Sequence, residues 1–188
     1  MLTAAIRARR SEILARWTDL TLEVYAADAV TFMKRERDRF QNPVGHSTGG
    51  ALEALLDGLT EAPDEPGERD ALDALVRIRA VQEIPASRAL AFVFQLKDVL
   101  RDALGEDWDS PRARSGRIDV ERRIDRLGLL AFELYMERRQ RLYELRAEEI
   151  QRRTASILRR VAEEPATPPG GASGKEAKQV ETKGGNGA

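Results

Sequence analysis

Between Arg77 and Lys97 a polar set, Arg77, Arg79, Gln82, Arg88, Gln95 and Lys97, interrupts two segments that otherwise carry apolar faces. Cationic and amide side chains in such a setting are the materials of an anion pocket, because an unpaired buried charge is costly and needs an opposite one. Residues two apart on a helix diverge, so Arg77 and Arg79 cannot point the same way, whereas Arg79 and Gln82 can share a face. Arg77, Arg79, Gln82 and Lys97 are therefore candidates for holding a small anionic ligand. The competing reading is pairing within the chain, with Asp73, Glu83 or Asp98 as partners, since charge on a surface helix is usually a solvated face.

His46 is the single histidine and cysteine is absent. Disulfides, thiol catalysis, iron–sulfur clusters and Cys-based zinc sites are thereby excluded, as are three-His metal sites and two-His zincin motifs. His46 is the residue to consider as a haem ligand. It stands just after the Asn42-Pro43 turn, however, and the favoured reading is an anchor at a helix start, with no cofactor. The run Gly45-His46-Ser47-Thr48-Gly49-Gly50 lacks the lysine and flanking strand of a phosphate-binding loop. No Ser–His–Asp pattern can be placed, and the carboxylates follow helix surfaces. Catalysis is not expected.

The elements that must position these residues all read as helices. Apolar residues recur at 3–4 spacing and nowhere alternate over a strand length. A first helix is expected over residues 3–25, with Ile6, Ile13, Leu14, Trp17, Leu20 and Val24 on one stripe, and a second over 28–40 with Val30, Phe32 and Met33. Pro43 disfavours a helical Asn42 and should end that second helix. Ser47 or Thr48 then caps a third through Leu52, Leu55, Leu56 and Leu59. After a loop at residues 62–67, a fourth runs over 68–83, and Pro85 opens a fifth over 86–104. The fifth, with Leu90, Phe92, Val93, Phe94, Leu96, Val99 and Leu100, should be the buried core helix. Trp17, Tyr25, Phe40, Phe92 and Phe94 read as core rather than as a cofactor box.

After a loop over 105–116 the chain meets no helix breaker until Pro165, and Gly128 is the only glycine in that run. A final helix of about 45 residues would reach roughly 70 Å. Its first half offers Ile118, Ile124, Leu127, Leu130, Leu134 and Tyr135 to a core. Its second half is charged with a thin apolar stripe, which suits a helix–helix contact between copies. Leu127, Leu134, Leu142, Leu145 and Ile157 are the candidates for that dimer interface. Pairs such as Glu137–Arg141 and Glu148–Arg152 would support the exposed surface by about 0.2–0.5 kcal/mol each. Residues 1–163 thus form one helical domain, and residues 164–188, rich in Gly, Pro, Ser, Thr and Lys, should be a disordered polar tail.

Bulk composition agrees. The chain has 188 residues, 41% hydrophobic and 34% charged, with 31 Lys+Arg against 32 Asp+Glu. That length supports one real core, and the near-neutral balance disfavours nucleic acid as a partner. No signal-peptide core and no run of about eighteen apolar residues is present, so a cytoplasmic protein without an integral membrane segment is expected.

The segments Asn42-Pro43-Val44-Gly45-His46, Val76-Arg77-Ile78-Arg79-Ala80-Val81-Gln82, Pro85-Ala86-Ser87-Arg88-Ala89 and Phe92-Val93-Phe94-Gln95-Leu96-Lys97 occur in an order that resembles the N-terminal sensor domain of the RsbR/RsbRD group of stressosome co-antagonists. The resemblance covers about the first 160 residues. It implies an all-α, globin-like fold without haem, dimerising through its terminal helices. In multidomain relatives the last helix continues into a STAS domain that engages kinase partners; here the polar tail follows instead.

The expected function is a non-enzymatic regulatory sensor or interaction module: a globin-like homodimer relaying ligand or partner binding through its long terminal helix. Two alternatives remain open at this point. One is a haem-binding gas or redox sensor using His46. The other is an accessory protein of a redox or membrane complex, tethered by its tail.

Overall fold

The computed structural model describes residues 2–163, apart from 36, 37, 39, 62 and 63. Every regular element among them is helical: α1 (Leu2–Ala8), α2 (Arg10–Leu22), α3 (Ala27–Arg35), α4 (Pro43–Thr60), α5 (Glu65–Val81), α6 (Ala86–Leu104), α7 (Glu106–Asp109), a 3-10 turn (Pro111–Ala113) and α8 (Arg114–Glu163). The expected tail at 164–188 lies outside the described residues, as does the Ala62-Pro63 part of the expected loop.

Residues 2–146 make one unit and residues from 147 onward another. In the first, the cores of α2, α4, α5 and α6 meet through Ile13, Trp17, Leu52, Leu55, Leu72, Val76, Phe92 and Leu96, all buried. The Trp17 indole donates from Nε1 to the Phe92 carbonyl at 2.7 Å, so the largest core side chain is also satisfied as a donor. Val120, Ile124, Leu127, Ala131 and Leu134 of α8 complete the core at 3–4 spacing. In the second unit, the described side chains of α8 are exposed apart from Glu149 and Ser156, which are half-buried.

Several expected boundaries move. The first helix breaks at Arg9, whose guanidinium reaches the Ala103 carbonyl, so a tertiary contact interrupts a run with no local breaker. Asn42-Pro43 begins α4 rather than ending a helix before it. The Asn42 side chain accepts from the Gly45 N–H at 2.9 Å and donates to the Met33 carbonyl at 2.7 Å, and Pro43 occupies the first turn. A Cβ at Gly45 would stand 2.4 Å from Asn42 Nδ2, so this cap needs glycine there. Ser47 and Thr48 lie inside α4 and are not its cap.

Phe40 and Phe94, expected in the core, are exposed. Phe40 falls beyond the end of α3, so helical spacing no longer aims it inward. The ring of Phe94 lies against Gly128 of α8, where a Cβ would stand 2.4 Å from Cζ. Ile118 is also exposed rather than buried.

Candidate functional site

Arg79 is the one charged residue among the buried described side chains, at 1% exposure. The last turn of α5 carries it inward, because Leu72, Leu75, Val76 and Ala80 on the same stripe bind that face to the core. Its guanidinium donates to the Ala89 carbonyl at 2.6 Å and to the Thr21 carbonyl at 2.7 Å. It lies 4.6 Å from the Phe92 ring centroid and 5.8 Å from that of Tyr25. No carboxylate pairs with it among the described residues, and burial lowers its pKa from the usual arginine range, with Tyr25 opposing that shift. Thr21 lies in the last turn of α2, so the cation also meets the negative end of that helix.

The three carboxylates expected to neutralise these arginines are each taken elsewhere. Asp73 accepts both arms of Arg138, at 2.8 and 2.6 Å. Glu83 pairs with Arg146 at 2.7 Å, a hydrogen-bonded contact that holds its carboxyl below the ordinary range. Asp98 pairs with Arg101 at 2.7 Å.

The four candidate ligand residues are spread out. Arg79 borders a cavity of about 230 Å³ together with Thr21, Arg88, Phe92 and Gln95. Arg77 points away and, with His46, borders a groove of about 1000 Å³ between α4 and α5, walled by Gly50, Ala51, Ala54, Ala71 and Ala74. Gln82 caps the end of α5 and is exposed. Lys97 pairs with Asp125 of α8 at 2.6 Å. His46 is exposed in the first turn of α4, its N–H donating to the Asn42 carbonyl at 3.1 Å.

The corner between α5 and α6 is clasped by α8. The Tyr135 hydroxyl donates to the Ile84 carbonyl at 2.6 Å, Arg139 to the Ala80 carbonyl at 3.2 Å, and Arg146 holds Glu83. The corner itself closes in a left-handed turn: Glu83 has φ 59°, with the Ile84 N–H on the Arg79 carbonyl and the Glu83 N–H on the Ala80 carbonyl. Arg79 thus contributes both its side chain and its carbonyl to one junction.

Leu127 and Leu134, expected at a dimer interface, are buried in the chain's own core, and Leu142 is half-buried; Leu145 and Ile157 are exposed. A different apolar row lies open on α8. In the first unit it comprises Leu129, Met136 and Tyr143, at 73%, 49% and 55% exposure, with Phe132 beside them at 51%. In the second unit it comprises Ile150 and Ile157, at 64% and 60%. The spacing is seven residues throughout, the repeat that coiled coils use, and that repeat is the signal by which the row could have been found. Among the described residues no acidic or histidine cluster is placed to hold a metal, and no helix is long and apolar enough to cross a membrane.

Residues 11–150 match the family model described as the RsbT co-antagonist protein rsbRD N-terminal domain. The chain belongs to this family. The resemblance drawn from the central segments is therefore borne out, and with it the coarser functional expectation of a stress-signalling regulatory domain. The family's matched span takes in α2 to α6, both cavities and the part of α8 that enters the core. No curated protein and no solved structure matches the chain.

Proposed function

We propose that this chain is a non-enzymatic, cytoplasmic sensor module that pairs with a second copy along α8 and relays a signal through that helix. The observation that carries the reading is the exposed seven-residue row of Leu129, Met136 and Tyr143 in the first unit. A row of large apolar side chains on a helix surface is unfavourable in water, and a second copy of the same row covers it symmetrically. A globin-like arrangement of the remaining helices, as the family resemblance implies, leaves α8 as the element through which protomers communicate.

The α5–α6 corner supplies the relay. Tyr135, Arg139 and Arg146 hold its backbone and Glu83, so a shift of α8 changes the surroundings of Arg79, and a change at Arg79 is felt along α8. The signal is a small ligand or a docked regulatory protein. Coupling of this kind requires that the signal favour one of two arrangements of the pair.

Light scattering on the full chain tests the pairing. The wild-type chain should give the mass of a dimer. The double substitution Met136→Glu, Tyr143→Glu should give a monomer that keeps its helical circular dichroism. Leu142→Glu with Leu145→Glu, on the neighbouring face, should weaken pairing less. A wild-type monomer, or a dimer that survives Met136→Glu, Tyr143→Glu, would remove this reading.

A further inference from the structure

Two buried side-chain atoms among the described residues have no hydrogen-bond partner: Arg79 Nε and Thr21 Oγ1. Both residues border the same cavity, of about 230 Å³, between the end of α2 and the start of α6. That coincidence is the starting point. A buried donor left unmade costs the full desolvation of that group, more so when it is charged, and native structures seldom leave two together without cause.

The surroundings say what kind of molecule the cavity suits. Arg79 gives two of its five N–H groups to carbonyls, and its charge meets only neutral acceptors and aromatic rings. Arg88 stands at the mouth, exposed and without an ion pair among the described residues, and Gln95 adds an amide. Leu20, Val24 and Phe92 supply apolar wall. One acid, Glu23, also borders the cavity and is exposed. It disfavours a second negative charge on the occupant. A single anionic head with a short apolar body fits this set, whereas a dianion such as phosphate meets Glu23.

We propose that the Arg79 cavity binds a small aliphatic monocarboxylate, its oxygens held by Arg79, Arg88 and Thr21 and its chain against Leu20, Val24 and Phe92. Carboxylate geometry suits a guanidinium, which offers paired donors in a plane. The proposal names the ligand class for the sensor module described above, and rests on that reading only for its regulatory consequence. Glu23, the one acid on the cavity wall, repels a bound anion and so favours an occupant with a single negative charge.

The test is a ¹H–¹⁵N chemical-shift titration of the full chain with sodium propionate, in chloride buffer at fixed ionic strength. Saturable shifts centred on Thr21, Arg79, Arg88 and Gln95 are expected, with none from propionamide, the neutral isostere. Arg88→Gln, a change at an exposed position, should weaken binding roughly tenfold or more, the worth of one charge-assisted hydrogen bond. Glu23→Gln should tighten it. Arg79→Met should abolish it; if that variant does not fold, Arg88→Gln and Thr21→Val carry the decision.

The proposal is overturned if propionate gives no saturable shifts, if propionamide shifts the same residues, if Arg88→Gln binds as wild type, or if inorganic phosphate binds more tightly than propionate. Dimer mass measured on the same samples separates this proposal from the reading it rests on. A dimer that binds no propionate overturns the site and leaves the module. Propionate binding that Arg88→Gln weakens, in a chain that never dimerises, supports the site and removes the module.

Discussion

Two stretches of α8 share a composition of arginine, glutamate and scattered leucine or isoleucine, yet the chain uses them differently. Within residues 114–146, the arginines reach across to other elements. Arg123 donates to the Leu59 and Glu61 carbonyls, Arg138 to Asp73, and Arg139 to the Ala80 carbonyl. Within residues 147–163 the ion pairs described are local, Arg152 and Arg153 both meeting Glu149. Apolar phase decides the difference. Ile124, Leu127, Ala131 and Leu134 repeat at 3–4 spacing and are covered, whereas Ile150, Ile157 and Leu158 leave the later stretch without a stripe wide enough for a core. Charge density alone says little about what a helix does.

The largest effect that would sharpen this contrast is in the core. Ile124→Ala, at a fully buried position, should cost about 2–5 kcal/mol, while Ile157→Ala in dilute protein should change the fold's stability by less than about 0.5 kcal/mol. Urea denaturation of both variants checks this, and equal losses would break the comparison. Next in size is the strained corner. Glu83→Gly relieves a left-handed φ that disfavours any side chain, and should raise the melting temperature by about 2 °C despite losing the Arg146 pair. A fall in melting temperature would mean that the pair outweighs the backbone.

A smaller effect concerns the bridges that fasten α8. Asp73→Asn removes a two-pronged, half-exposed contact and should cost about 0.5–1 kcal/mol at low salt and less in 1 M salt, whereas Arg152→Ala should cost nothing measurable. Thermal melts across salt concentration distinguish the two.

The smallest concerns acid. Asp57 accepts both arms of Arg10, at 2.7 and 2.9 Å, which lowers its pKa from the ordinary 3.8. A lowered folded-state value stabilises above the unfolded one and is lost as pH falls through the folded one. The melting temperatures of wild type and Asp57→Asn should therefore differ at neutral pH and converge in acid below 3.8. Parallel curves down to that range would contradict the assignment.

How much of this was legible in the sequence varies by element. The bounds of α6 agree with the reading over 86–104, because Pro85 and Gly105 frame a dense apolar run. The start of α4 was written in Asn42-Pro43 as a cap and a first-turn proline, but the same dipeptide also ends helices, and only the Met33 contact decides. The break at Arg9 has no local signal. The dimer candidates show a subtler limit: Leu127 and Leu134 are seven apart, as are Leu129 and Met136, and the pattern does not say which row a chain keeps for itself. The surface pairs moved for a similar reason, since Glu137 turns to Arg69 of α5 rather than to Arg141. Arg79 was legible as a candidate; its solitude was not, because that depends on Asp73, Glu83 and Asp98 being claimed by other arginines, two of them on α8.

The packing of Trp17 has an optical consequence. Its indole stacks on Phe92, centroids 6.3 Å apart, and Arg79 lies over that same Phe92 ring. Indole emission shifts with the local electric field, and Trp108 is the only other tryptophan in the chain. With Trp108 replaced by phenylalanine, the fluorescence of this protein becomes a single-residue voltmeter seated beside its most isolated charge, able to follow neutralisation of that charge in real time and without a label.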